Sequence, residues 1–183
     1  MATLSKRPSA EERMPAREER EYRDTSRYVW AIARIALGWI FLWAFLDKLF
    51  GWTFATPAGK GWLEDGSPTK GFLSNSASGP FEDFYKGIAG DGWTNTLFML
   101  GLLGIGLALI LGIGMRIAAG SGALLMVMMW SVALPPENNP IIDDHIIYAI
   151  VLIGLAVANA GDTFGLGRWW SNLDMVKQYP VLR

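Results

Sequence analysis

The run LFMLGLLGIGLALILGI, Leu97 to Ile113, carries no charged side chain, and AAGSGALLMVMMWSVAL, Ala118 to Leu134, follows it after a single arginine, Arg116. A helix on the surface of a water-soluble protein keeps one polar face. Neither run has one, so their solvent is expected to be a bilayer. Working outward, four apolar segments emerge: Tyr28 to Phe50, Trp93 to Met115, Ile117 to Leu134, and Ile141 or His145 to Ala160. At 1.5 Å per residue, stretches of roughly 17–23 residues reach about 25–35 Å, against a hydrocarbon core near 30 Å. Lipid offers no partner to a bare N–H or C=O, so each segment must satisfy its own backbone as a helix. The expected fold is an all-α integral membrane protein, a bundle of four transmembrane helices with a long aromatic-rich outer insert between the first two.

The basic residues orient it. Lys6, Arg7, Arg13, Arg17, Arg20, Arg23 and Arg27 precede the first segment, Arg116 lies between the second and third, and Arg168, Lys177 and Arg183 follow the fourth. With four crossings these regions share one side, which the positive-inside rule makes cytoplasmic. Both termini are expected there. The divisions that follow are a charged cytoplasmic tail (1–27), a four-helix membrane domain (28–162, with the insert at 51–92), and a cytoplasmic C-terminal tail (163–183). A long hydrophilic stretch precedes the first apolar run, so that span, rather than a cleaved leader, is expected to serve as the insertion signal.

The 183 residues include no cysteine and one histidine. That composition excludes a disulfide framework, a thiolate metal site, an iron–sulfur cluster, persulfide chemistry on this chain and a bis-histidine haem. No metal is expected. Electrons passing through the protein would need a diffusible cofactor or a second polypeptide.

Small residues recur at helical spacing: Gly104, Ala108 and Gly112, then Ala118 and Gly122, then Gly154 and Ala158. Such stripes let helices approach closely in lipid, either within one bundle or between copies in a homo-oligomer. The insert holds Trp52, Phe54, Trp62, Phe72, Phe81, Phe84 and Tyr85 among Gly, Ser and Pro turns. It is too apolar for a plain linker, and Phe81 to Ala89 is expected to form a short amphipathic helix with Phe81, Phe84, Tyr85 and Ile88 on one face.

Several stretches carry a family likeness. RIALGWIFLWAFLDK (Arg34 to Lys48) and GDTFGLGRW (Gly161 to Trp169) resemble the opening and closing helices of the DoxX/DoxD family of small four-helix membrane proteins. SPTKGFL (Ser67 to Leu73), GPF (Gly79 to Phe81) and NPIIDDHIIY (Asn139 to Tyr148) look like the DoxD-like branch. The resemblance implies a multi-pass protein of a bacterial or archaeal plasma membrane. In the DoxD-like branch it further implies association with thiosulfate oxidation coupled to quinone reduction in a two-subunit enzyme. Quinone is therefore the implied cofactor, and other membrane or redox subunits the implied partners; no nucleic-acid partner is expected.

Candidate chemistry gathers at one end. Asp143, Asp144 and His145 form the densest polar cluster near any span. Either they are drawn below the interface, where ionisable groups line proton pathways, or an aspartate caps the helix and the apolar run continues through Phe164 and Leu166. Imidazole exchanges protons near neutral pH. His145, Asp144 and Asp47 are accordingly the candidate outer-side proton and quinone cluster, with Tyr148, Lys48 and Trp52 as candidate cofactor contacts. Lys48 and Asp47 have an alternative, Lys48 snorkelling to headgroups and Asp47 facing water. Arg34, inside its span, is expected either to snorkel inward or to neutralise Asp162. Met126, Met128 and Met129 point in different directions on a helix, which suits packing rather than a soft-metal site.

Three function classes follow: a quinone-interacting or redox-partner subunit, a non-enzymatic accessory or scaffold subunit of a larger membrane complex, and a small transporter, the last weakened by the lack of an inverted repeat. The charge placement makes a direct prediction. Cysteines introduced at Ser9 and Ser171 should react with impermeant maleimide only from the cytoplasmic side, and one at Ser76 only from outside; external labelling at Ser9 would overturn the layout.

Overall fold

The computed structural model describes residues 16–137 and 139–183; Ser9 and most of the N-terminal tail lie outside them. Among the described residues the secondary structure is helical, apart from one isolated bridge between Ser78 and Ala133. The long elements are α1 (Ala16–Phe50), α4 (Gly92–Leu111), α5 (Met115–Val132) and α6 (Asp144–Val157). Between α1 and α4 the insert forms α2 (Lys70–Asn75) and α3 (Glu82–Gly87), and α7 (Gly167–Ser171) and α8 (Asp174–Gln178) close the chain.

Three helices are long and apolar enough to cross a membrane: α1 from Glu21 onward, α4 and α5. Their outward faces are apolar, with Val29, Ile32, Trp39 and Ile40 on α1, Leu97, Leu100 and Leu107 on α4, and Ile117, Leu124 and Val127 on α5 all exposed. Exposed apolar stripes on every long helix make a belt that lipid, not water, would cover. Inside it, Leu37, Phe41, Met99, Leu102, Ile105, Leu109, Leu152 and Leu155 form one core.

α6 is shorter than its sequence suggests. It has 14 residues, about 21 Å, and does not continue through Phe164 and Leu166. The Asp143 carboxylate caps its start by accepting the Ile146 N–H, and Asn159, with φ of 48°, turns the chain left-handed just past its end. Even so, the segment from Ile141 to Gly161 that contains α6 lies alongside α5. Trp130 at one end of α5 donates its indole N–H to the Ile141 carbonyl, while Gly161 beyond the other end of α6 lies against Gly112 and Met115.

Within α4 the close approach to α1 is made at Gly106, while of the expected stripe Gly112, just past the helix, meets Gly161. Gly104 has nothing within 4 Å of where a Cβ would sit, whereas a Cβ on Gly106 would lie 2.8 Å from the Leu42 backbone nitrogen. Gly106 thus sets the α1–α4 distance, and Gly122, facing Leu152 on α6, serves the α5–α6 contact.

At the end where α4 stops, Arg34 is fully buried. It neither snorkels nor reaches Asp162, which is paired with Arg183 at 3.3 Å. Its guanidinium instead donates to five carbonyls. Nε reaches Ala160 (3.1 Å), Nη1 reaches Ile110 (2.9 Å) and Leu109, and Nη2 reaches Phe164 (2.8 Å) and Thr163 (3.2 Å). Leu109 and Ile110 are in the last turn of α4, where carbonyls lack helical partners and carry the negative end of the dipole. The cage closes because Gly112 and Gly161 let two backbones touch: a Cβ on Gly161 would collide with the Gly112 carbonyl.

The C-terminal segment is bound to this same end. The Arg183 carbonyl accepts the Arg116 N–H, the Pro180 carbonyl accepts the Arg116 side chain, and the Leu182 carbonyl accepts the Trp170 indole.

Arg34→Lys keeps the charge but has three donors for five acceptors. At about 1.5–3 kcal/mol for each hydrogen bond to a charged group, it should lower the melting temperature in detergent clearly. Arg34→Met should abolish the monodisperse folded peak in size exclusion. Asp162→Asn, which breaks only a surface pair, should change stability by no more than about 1 kcal/mol; a larger loss there than in Arg34→Lys would refute the carbonyl cage.

Candidate functional site

The opposite end of the bundle carries the candidate chemistry and is covered by the insert, whose attachment is built from polar residues at its two edges. Asn95, buried at the start of α4, accepts through Oδ1 from the Thr69 N–H (3.2 Å), the Thr69 hydroxyl (2.7 Å) and the Ser67 hydroxyl (3.1 Å). Its amide donates to the Gly90 carbonyl at 3.2 Å. One side chain thereby ties both the middle and the end of the insert to α4. On α5, the Tyr85 hydroxyl meets Ser131 Oγ at 2.6 Å, and the Ser78 N–H bonds the Val132 carbonyl at 2.8 Å. Leu73, Ala77, Tyr85 and Val132 form a small second core. The expected amphipathic segment is present as a 3₁₀ turn and α3, but Tyr85 and Ile88 pack inward while Phe81 and Phe84 stay exposed.

Asp143, Asp144 and His145 come together as a helix start. His145 Nδ1 lies 2.7 Å from Asp143 Oδ2 and 3.6 Å from Asp144 Oδ1. Asp143 holds the α6 cap with its other oxygen, so the imidazole is oriented by the residue that begins the helix. The ligating atoms of the three lie within 4.8 Å of one another, a proximity that the cap and the His145–Asp143 contact already account for. Tyr148, one turn on, packs half-buried against the main core.

Asp47 is placed elsewhere. Only 1% exposed, it accepts the backbone N–H groups of Phe54 (3.2 Å) and Ala55 (3.0 Å) and so anchors the first turn of the insert to the end of α1. It neither faces water nor bonds His145. Trp52 stacks on Phe50 and packs on Trp43, whose other neighbours are Trp39 and Phe54.

Lys48 opens onto a cavity of about 1000 Å³ between the insert and the ends of α1, α4 and α5. Phe72, Leu73 and Tyr85 line it from the insert, Leu97 and Phe98 from α4, and Leu125, Met128 and Met129 from α5. Lys48, Lys60, Lys70, Glu64, Asp65 and Thr94 supply its polar wall. The Thr94 hydroxyl oxygen is buried and has no hydrogen-bond partner. Of the candidate residues His145, Asp144, Asp47, Tyr148, Lys48 and Trp52, Lys48 alone lines this cavity. Sequence reasoning missed Thr94 and Lys70, since nothing in the local pattern separates them from ordinary surface residues. The aromatic density of the insert was the usable signal.

Long apolar helices with a lipid-facing belt and a folded cap over one end define a multi-pass membrane protein. The DoxX family profile matches residues 29–134, more than half of the chain, and the chain belongs to that family. Comparison with curated proteins and with solved structures gives no significant match. The matched stretch contains every residue lining the cavity, while Asp143, His145 and the carbonyls of residues 160–164 fall beyond it.

The cap and the imidazole can be separated by mutation. Asp143→Ala should cost about 1 kcal/mol through loss of the N-cap, read as a lower melting temperature. His145→Gln should leave stability and helix content unchanged; a loss equal to that of Asp143→Ala would make the imidazole part of the scaffold.

Proposed function

We propose that this DoxX-family membrane protein is a quinone-interacting subunit and the membrane partner of a redox enzyme, in line with the DoxD-like branch it resembles. The observation that carries this reading is the cavity under the insert. A quinone ring needs flat apolar walls and donors for its carbonyl oxygens, with a route in from the bilayer for its tail. Phe72, Phe98 and Tyr85 offer the walls, and Lys48 and the unpartnered Thr94 hydroxyl offer the donors. Leu97, Trp93, Phe84 and Met128 line the cavity and are exposed, which supports a rim open toward the apolar belt.

The supporting arrangement extends to protons. The His145–Asp143 pair at the head of α6 would exchange protons with a reduced quinone through water, with Asp144 beside it. A chain without cysteine and with one histidine leaves the electron-carrying centres to another subunit. The membrane is proposed to be a bacterial or archaeal plasma membrane, with α6 as a fourth crossing. Its Ile147, Ile150, Ile153 and Val157 are exposed and continue the belt.

Purified protein in neutral detergent should co-extract quinone, and a short-chain quinone should raise its melting temperature. Thr94→Val removes one donor and should weaken that binding about fivefold, as for a net hydrogen bond of about 1 kcal/mol. Absence of co-extracted quinone, together with no thermal shift, would leave the protein as a scaffold subunit instead.

A further inference from the structure

The polar wall of the cavity is charged in a way that a neutral ring does not explain. Lys48, Lys60 and Lys70 all line it, and among the described residues none of their ammonium groups makes an ion pair or a hydrogen bond. The other described lysines do: Lys86 pairs with Glu82 and Lys177 with Asp174. The acids close by keep their charge, but among the described residues none of them bonds a lysine. Asp47, next to Lys48 in the chain, is bonded to two backbone N–H groups, and Glu64 accepts the Gly61 N–H at 3.3 Å. Asp65 alone on this wall has a carboxylate without a bond to the protein.

Lys48 makes the imbalance costly. It sits in the last turn of α1, half-buried beside an apolar wall, where an unpaired charge is disfavoured unless an anion meets it. The rest of the cavity is apolar and, at about 1000 Å³, lies at the upper end of the roughly 300–1,000 Å³ usual for small-molecule sites.

We infer that the cavity binds an anionic amphiphile, a molecule with one long apolar chain along Leu97, Phe98, Leu125 and Met128 and a carboxylate or phosphate head among Lys48, Lys60 and Lys70. The exposed rim at Leu97 and Met128 lets the chain pass to the bilayer while the head stays under the insert. The buried Thr94 hydroxyl gives a further donor within the same walls. This inference rests on the cavity being the ligand site, as in the function proposed above, but not on a quinone occupying it.

The test uses the full chain in nanodiscs of neutral lipid, with binding read by native mass spectrometry and by thermal shift. Oleate and lysophosphatidate should bind, and oleyl alcohol, which has the chain without the charge, should bind about tenfold or more weakly, the worth of a charge-assisted hydrogen bond. The double variant Lys60→Gln/Lys70→Gln should bring oleate down toward the alcohol and leave the alcohol unchanged. Lys60→Arg/Lys70→Arg should retain oleate, which controls for folding. Oleate binding no tighter than the alcohol, or unaffected by the Gln pair, overturns the inference. Inorganic phosphate giving the full thermal shift by itself also overturns it, because the chain would then contribute nothing. Quinone binding without oleate binding would sink this inference and leave the quinone reading standing; oleate binding without quinone binding would do the reverse.

Discussion

A positive charge buried among backbone carbonyls holds this bundle together. Arg34 meets the carbonyls of Leu109 and Ile110 at the end of α4 and those of Ala160, Thr163 and Phe164 beyond α6. Helix ends in a low-dielectric setting must have their orphan groups satisfied, and one guanidinium, with five fixed donors, does this for two chain segments at once. The requirement runs both ways, since the arginine needs acceptors as much as the carbonyls need a donor. Because α1, α4 and the segment after α6 converge on one side chain, the register of three elements is set at this end. The C-terminal residues, docked on Arg116, cover it.

With one end fastened in this way, the other end is free to be hollow. The insert is held at its edges by polar pins: Asp47 on the turn at Phe54 and Ala55, Asn95 on Thr69 and Gly90, and Tyr85 on Ser131. Its aromatic residues do not fill the space between those pins. A cap attached by its rim and unfilled at its centre is what makes the cavity. Lys48 reaches that space because its neighbour Asp47, about 100° away around the helix, is turned to the first pin.

Two groups of polar residues lie at this end of the scaffold. The His145–Asp143 pair belongs to a helix start, whereas the cavity is walled by aromatic and aliphatic side chains with a polar wall of Lys48, Lys60, Lys70, Glu64, Asp65 and Thr94. The two are different kinds of site on the same end of the protein. One is a capped helix start; the other is a hollow between packed elements.

The long helices were legible because hydrocarbon imposes length and apolarity directly on composition: Leu97 to Ile113 and Ala118 to Leu134 admit hardly any other reading. The cap of α6 was legible as one of two alternatives, since aspartate before an apolar run is a local signal. Membership of the DoxX family was legible too, and the match over residues 29–134 bears it out. What remained hidden were contacts between residues far apart in the chain. That Arg34 would turn from Asp162 to carbonyls more than seventy positions away, that Gly106 rather than Gly104 would meet α1, and that Asp47 would hold a turn instead of joining His145 all depend on how helices are rotated against one another. Rotation is decided by the fit of whole surfaces, not by local pattern. By itself the sequence determined the solvent, the helical state and the family of this protein; the tertiary structure alone decided the carbonyl cage and the lysine-lined cavity, because each is made by groups that only packing brings within reach.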